Sequence, residues 1–159
     1  MNNIVFIIFM LITIHAHSQD RIDFFEYDSW IADSFNVNSL KHEENIINLA
    51  KPTSITKKSS SLNYPNKIFK TTEYEFDGLT ICAEVEQGTK KSYIFSAIID
   101  SDKWSLSNGI KVGDPIQKLD ILPFERDDYS NKYCGEANCI EFHTENGKII
   151  KITYMLYVG

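Results

Sequence analysis

Between Leu79 and Glu86 the chain alternates strictly: Leu79, Ile81, Ala83 and Val85 are apolar, with Thr80, Cys82, Glu84 and Glu86 between and after them. A period of two is that of a half-buried strand with one face on a core and the other in water. Asp77-Gly78 before it is a hairpin dipeptide, which makes Ile68–Phe76 a partner strand. Gln87-Gly88 turns the chain again into Ser92–Ile99 (SYIFSAII), so residues 68–99 predict a three-stranded meander. Cys82 falls on the polar face of this meander, beside Glu84 and Glu86.

The second half carries the same kind of pattern. Tyr129–Cys134 and Asn138–Thr144 predict strands around the turn-like Gly135–Asn138, and Asn146-Gly147 is the strongest hairpin dipeptide in the chain. Lys148–Tyr157 then closes with Ile150, Ile152, Tyr154 and Leu156 on one face. Two helices are predicted. Capping residues at 36–39 precede Leu40, Ile46, Ile47 and Ala50, which share a helical face until Lys51-Pro52 ends it. Glu43 and Glu44 lie in its first half, where the helix dipole favours acids. Asp114-Pro115 reads as an N-cap with proline at the first helical position; Ile116, Leu119 and Leu122 follow, and Pro123 stops the element. Asp20–Trp30 mixes aromatics with acids and reads as a leading strand or turn that tucks Phe24, Phe25 and Trp30 onto the core. Residues 51–72 are rich in Ser and Thr and carry Lys51, Lys57, Lys58, Lys67 and Lys70 without an acid. That composition is a solvated connection, with a basic loop for an acidic partner as the sharper alternative.

Set side by side, Val37-Asn38-Ser39 matches Val112-Gly113-Asp114, and each half continues through two turns into strands. The predicted fold is α+β: two tandem units, each a helix plus a three-stranded antiparallel meander, forming one sheet with helices on one face. Unit one spans about residues 31–100 and unit two about 101–159.

The first eighteen residues stand apart. Ile4–Ile14 has no charged residue, is too short for the roughly 20 residues of a membrane span, and is followed by Ala16-His17-Ser18. This predicts a secretory signal over 1–18 cleaved before Gln19, although Met1-Asn2-Asn3 contributes no Lys or Arg; the alternatives are a buried apolar helix or an uncleaved anchor. Removing 18 of the 159 residues leaves 141, enough for one domain over 19–159. The formal net charge of −6 lies wholly in that part and argues against a nucleic-acid partner, which needs dense positive charge. No second long apolar run follows, so no stable membrane insertion is expected after cleavage and the location is periplasmic or secreted.

Export bears on the cysteines. Cys134 and Cys139 flank Gly135–Asn138 and are the natural disulfide pair in an oxidising compartment; three thiols, or a bond to Cys82, are the alternatives. Neither His42 nor His143 stands at zinc-ligand spacing from a cysteine pair. Glu125–Asp128 and Asp100-Ser101-Asp102 are oxygen-rich but lack the twelve-residue calcium-loop pattern. Glu84 and Glu86 could imitate paired catalytic carboxylates, yet acids alternating on a solvent face are commonplace. There is no nucleophile elbow and no phosphate-binding glycine loop. No catalytic, metal or cofactor residue is therefore assigned.

At Gly109-Ile110-Lys111-Val112-Gly113-Asp114, followed by a short helix and a hairpin at Asn146-Gly147-Lys148-Ile149-Ile150, the chain resembles the superfamily of the SmpA/OmlA outer-membrane assembly lipoproteins and the β-lactamase inhibitory protein. The resemblance implies a non-enzymatic envelope or secreted domain that binds another protein through its sheet. The composition agrees: of the chain's ten Phe, eight lie beyond residue 18, and with eight Tyr and two Trp they exceed what a 141-residue core requires. Trp104, Tyr93, Phe95, Tyr129 and Tyr133, with Phe142, are the candidate anchors, since surface aromatics are favoured at interfaces. The expected function is an exported non-catalytic protein-binding module, of inhibitor or assembly-accessory type. Its alternatives are a small envelope hydrolase and a ligand-carrying domain with a cavity under the sheet. Mass spectrometry checks the two covalent expectations: the mature chain starts at Gln19, and only one thiol alkylates before reduction. An intact Met1, or three alkylated thiols without reduction, overturns one expectation or the other.

Overall fold

The structure is a computed structural model that describes residues 24–58, 63–64, 67–124 and 130–156. The segment 1–18 expected to be a signal, Tyr129 and the acidic run 125–128 lie outside the described residues. The chain builds α1 (Phe24–Ser34), a 3-10 turn (Val37–Leu40), α2 (Glu43–Ile47), then β1 (Ser54–Lys58), β2 (Asn63–Tyr64), β3 (Lys67–Phe76), β4 (Leu79–Glu86) and β5 (Ser92–Ile99). A second 3-10 segment (Ile116–Ile121) precedes β6 (Lys132–Cys134), β7 (Cys139–Glu145) and β8 (Lys148–Met155). Seven strands pair antiparallel in the order β1-β3-β4-β5-β8-β7-β6, and β2 adds a short pairing on β3.

The alternation along β4 settles the inner face. Leu79, Ile81, Ala83 and Val85 are buried and stand opposite Phe76, Tyr74, Thr72 and Lys70 of β3. Across the sheet the same face continues through Ala97 and Ile99 to Ile152 and Tyr154, and on to Phe142 and Ile140. Ile31 of α1, Leu40, Ile46 of α2, Leu106, Ile110, Leu119, Leu122 and Phe124 join these side chains in one core. One of two turns behaves as its residues dictate. Asn146 and Gly147 both take positive φ (50° and 74°), the twist that a two-residue hairpin needs. The β4–β5 connection is longer than Gln87-Gly88 suggested: Glu86 and Lys91 close it, and Lys90, not Gly88, is the left-handed residue (φ 60°).

The expected fold class is overturned. The chain is 19% helical and 47% strand, dominated by its sheet, and it does not repeat a helix-plus-meander unit. In the first half the helix predicted over 40–50 contracts to the five residues of α2, and the longer helix is α1, in residues read as a strand or turn. Among the described residues of the second half there is no α-helix. Ile116, Leu119 and Leu122 recur every three residues, which is the 3-10 period, and 116–121 adopts that form. Asp114 does not cap it. Gly113 N–H and Asp114 C=O bond to Ile149 of β8, so Pro115 is held extended (ψ 145°) and tertiary pairing overrides the capping signal. The Asp114 carboxylate turns back to the N–H of Lys111 (2.9 Å) and to Lys118 Nζ (2.8 Å).

The connection read at 51–72 contains β1 and β2. Lys57 and Lys58 with Ser54 and Thr56 make β1 look like solvent-facing chain, and that polarity is what an edge strand carries to discourage pairing with other molecules.

The glycines give a sharp test of this geometry. Gly78 has φ +81°, and a Cβ there would lie 2.0 Å from Ser101 Cβ, whereas a Cβ on Gly88 meets nothing within 4 Å. Gly78→Ala should destabilise by about 2 kcal/mol or more, and Gly88→Ala should stabilise by roughly 0.5 kcal/mol through the unfolded chain. Urea unfolding of the two variants separates them by sign.

Candidate binding face

Helices and loops cover one face of the sheet, and register places the other set of side chains on the opposite face. Thr71, Glu73 and Glu75 of β3 stand beside Glu84, Cys82 and Thr80 of β4. These meet Tyr93, Ser96 and Ile98 of β5, then Met155 and Thr153 of β8, then Cys139, Glu141 and His143 of β7. The centre of this outer face is apolar. Ile98 is 37% exposed and Met155 45%, diagonal neighbours across the β5–β8 seam, and Met155 is in register with Cys139. Tyr93 lies half-buried further along β5, beyond Ser96, and its ring is edge-on to Phe69 of β3 at 5.7 Å.

The two flanks differ in charge. On the β6–β7–β8 side the charges mix: His143 Nδ1 is 3.7 Å from Glu141, its Nε2 is 3.1 Å from Thr153 Oγ1, and Lys132 and Lys151 stand in register with Glu141 and His143. On the β3–β4 side Glu73, Glu75, Glu84 and Glu86 gather. Ser54 Oγ donates to Glu75 (2.6 Å), Cys82 Sγ to Glu73 (3.6 Å), and the buried Glu86 accepts from Thr89 Oγ1 (2.8 Å) near Lys67 Nζ (3.7 Å). Burial raises the Glu84 carboxyl above its ordinary range, because the sheet strips water from it.

The aromatic candidates divide. Tyr93 is on the outer face, and Phe95 occupies the extra position of a bulge in β5 opposite Cys82 and Ala83. Trp104 is half-buried, its ring edge-on to Phe76 at 5.9 Å and its Nε1 donating to Asp77 C=O at 2.9 Å, so it anchors the 100–105 loop to the β3–β4 turn. Tyr133 is 4% exposed and packs on Phe124 and Phe142, and Phe142 is 1% exposed; both belong to the core and are corrected out of any surface set. Sequence reasoning does not single out Ile98, Met155 or Phe69. An aliphatic residue on the solvent side of a strand is ordinary by itself, and only register reveals that Ile98 and Met155 meet.

Cys134 and Cys139 stand at disulfide distance, 2.08 Å between sulfurs, while Cys82 forms no disulfide. Cys82 and Glu84 lie on β4 and His143 on β7, three strand spacings or about 14 Å apart, so they make no acid–base or nucleophile pair. Among the described residues, no three His, Cys, Asp or Glu side chains gather as a metal site, and no helix is long and apolar enough to cross a membrane.

On the helix side, an open depression of about 270 Å³ is lined by His42, Glu43, Glu44, Ile47, Thr89 and Lys90. Glu43 accepts from the Tyr74 hydroxyl (3.2 Å) and lies 3.5 Å from Lys57 and 3.4 Å from Lys90. Burial by itself would raise its carboxyl, but the two lysines and the hydroxyl outweigh that and hold it below the usual range. Tyr74 is pushed well above the ordinary phenol value by burial and by Glu43. Asp114 behaves like Glu43: burial opposes ionisation, and Lys118 with the Lys111 N–H and charge overcomes it.

These opposite shifts predict opposite pH slopes. A raised carboxyl weakens the fold once it ionises, so Glu84→Gln should raise stability at pH 7, and the gain should vanish as pH falls through the carboxylate range. A lowered carboxyl contributes stability above its unfolded pKa that is lost as pH falls through the folded value. Asp114→Asn should therefore destabilise at pH 7 and match the parent in strong acid. Urea midpoints across pH 3–7 read both.

No protein-family model, curated protein or solved structure matches the chain.

Proposed function

We propose that the protein is an exported, non-catalytic protein-binding module whose partner docks on the outer face of the sheet. The observation that carries this reading is the exposed apolar pair Ile98 and Met155 at the β5–β8 seam, with Tyr93 further along β5 and glutamates on one flank. Seven strands at about 4.8 Å spacing, some five residues long, present a footprint of roughly 600 Å², close to the ~800 Å² per partner of a standard complex. Such an interface has an apolar middle and a charged rim. The rim here selects a partner carrying Lys or Arg opposite Glu73, Glu75 and Glu84. The SmpA/OmlA and inhibitory-protein resemblance at Gly109–Asp114 supports the same class of role, and the cysteine pair suits an oxidising compartment.

A partner captured from the envelope or medium with the full mature chain tests the assignment only through variants. Met155→Asp and Tyr93→Ala should each weaken binding about tenfold or more, and Glu84→Lys should do so by charge reversal. Glu44→Lys, in the depression on the helix side, should leave it unchanged. Binding should also weaken as pH falls through the raised Glu84 carboxyl, because a cation across the interface favours its ionised form. A partner insensitive to the three face variants would sink the reading.

A further inference from the structure

Asp28, in the second turn of α1, reaches across the molecule to the loop between the paired cysteines. Its Oδ2 accepts the backbone N–H groups of Glu136 (3.0 Å) and Ala137 (3.2 Å). Its Oδ1 accepts those of Asn138 (2.7 Å) and Ala137 (3.2 Å), and Asn138 Nδ2 donates to the Asp28 carbonyl (3.3 Å). Three consecutive N–H groups converging on one carboxylate form an anion nest, and here the anion comes from the helix itself. Convergence requires the loop to keep one conformation. The Cys134–Cys139 bond and the Gly135 N–H to Asn138 C=O hydrogen bond (2.8 Å) both hold it.

The strand behind the loop gives little further support. β6 is three residues long, lies at the sheet edge, and its pairing with β7 ends at Cys134 and Cys139. α1 has eleven residues, too few to persist in water without packing. Its two ends are held differently. At the C-terminal end, Ser34 Oγ shares a 2.9 Å hydrogen bond with the Tyr154 hydroxyl, Ser107 N–H donates to the Ser34 carbonyl, and Phe35 packs on Tyr154. Nearer the N-terminal end, the ties described are Asp28 and the rings of Tyr27 and Trp30, which cover Phe124 at 4.1 Å and 4.8 Å.

We propose that the Cys134–Cys139 bond is a redox-sensitive latch on α1: reducing it releases Asp28 from the loop and undocks Tyr27 and Trp30 from Phe124, while Ser34 stays anchored. The reductant is a dithiol. It gives two electrons and two protons, the S–S bond becomes two thiols, and the dithiol closes to its own disulfide. The freed loop no longer aims three N–H groups at one point. The carboxylate then returns to water, and the aromatic cover over Phe124 loses one of the ties that orient it. The latch rests on the bond and the Asp28 contacts alone, and stands or falls apart from the outer face.

Hydrogen–deuterium exchange on the full mature chain, with and without dithiothreitol, reads the latch; alkylation and mass measurement verify that both cysteines are reduced. Reduction should speed exchange of the α1 amides before Ser34 by about tenfold or more while β3, β4 and β8 keep their protection. Asp28→Asn, which keeps the shape and removes the charge, should loosen the same amides with the disulfide intact. Dithiothreitol should then add little, because both changes break one connection. Three results overturn the proposal: α1 exchange unaffected by reduction, an equal loss of protection across the whole sheet, or effects of Asp28→Asn and reduction that simply add.

Discussion

Four register pairs, between Ser96–Ile99 of β5 and Ile152–Met155 of β8, hold the two halves of the sheet together. Everything else in the molecule inherits its position from this seam. On its inner side it buries Ala97, Ile99, Ile152 and Tyr154, and Tyr154 receives both Ser34 and Phe35 from the α1 end. On its outer side it leaves Ile98 and Met155 in water. Because side chains alternate with period two, a slip of one residue here would exchange these two sets. The buried tyrosine would face solvent, and the exposed methionine would enter the core. The register is therefore specified by burial on one side, and the outer apolar centre follows from it.

Local pattern and seam are legible to different degrees in the chain. The bounds of β4 and β5 follow directly from alternation and turn dipeptides, and β3, β7 and β8 are within about two residues of their expected ends. The pairing of β5 with β8 has no such local signature. The helices were misread for physical reasons that can be named. Tyr27, Trp30 and Ile31 lie at helical spacing, but acids between aromatics also fit a strand. Asp114-Pro115 is a strong local cap signal, yet residues 113–116 exchange backbone bonds with 147–149, and those bonds hold the segment extended. Local propensity gives way wherever a sheet supplies partners.

The candidate face was legible only in part. Tyr93 was visible as an aromatic on a strand, and Glu84 as an acid on its polar side. Aromatic content alone, however, ranked Trp104 and Tyr133 beside Tyr93. One of these is an anchor for a turn and the other is core. Nothing in an aromatic residue's identity tells which face of a strand it takes. The two paired cysteines were readable from spacing, whereas Asp28, which organises their loop, was not: its partners lie 108 to 110 residues away and are backbone N–H groups. Side chains that bind backbone over such distances leave no trace in composition.

Stability and docking make different demands on the outer face. A sheet covered on one side is most stable when its other side is polar and fully hydrated. This sheet departs from that in two adjoining places, with Ile98 and Met155 exposed at its centre and Glu84 held in a partly dehydrated position that opposes its charge. A threonine or a glutamine at those positions would keep the pleat and avoid both penalties. A partner that covers the apolar pair and sets a cation against Glu84 removes the same two penalties at once. Under the proposed docking, the groups that cost the isolated domain stability are thus the ones whose free energy falls on association, the apolar pair at the centre of the face and Glu84 on its acidic flank.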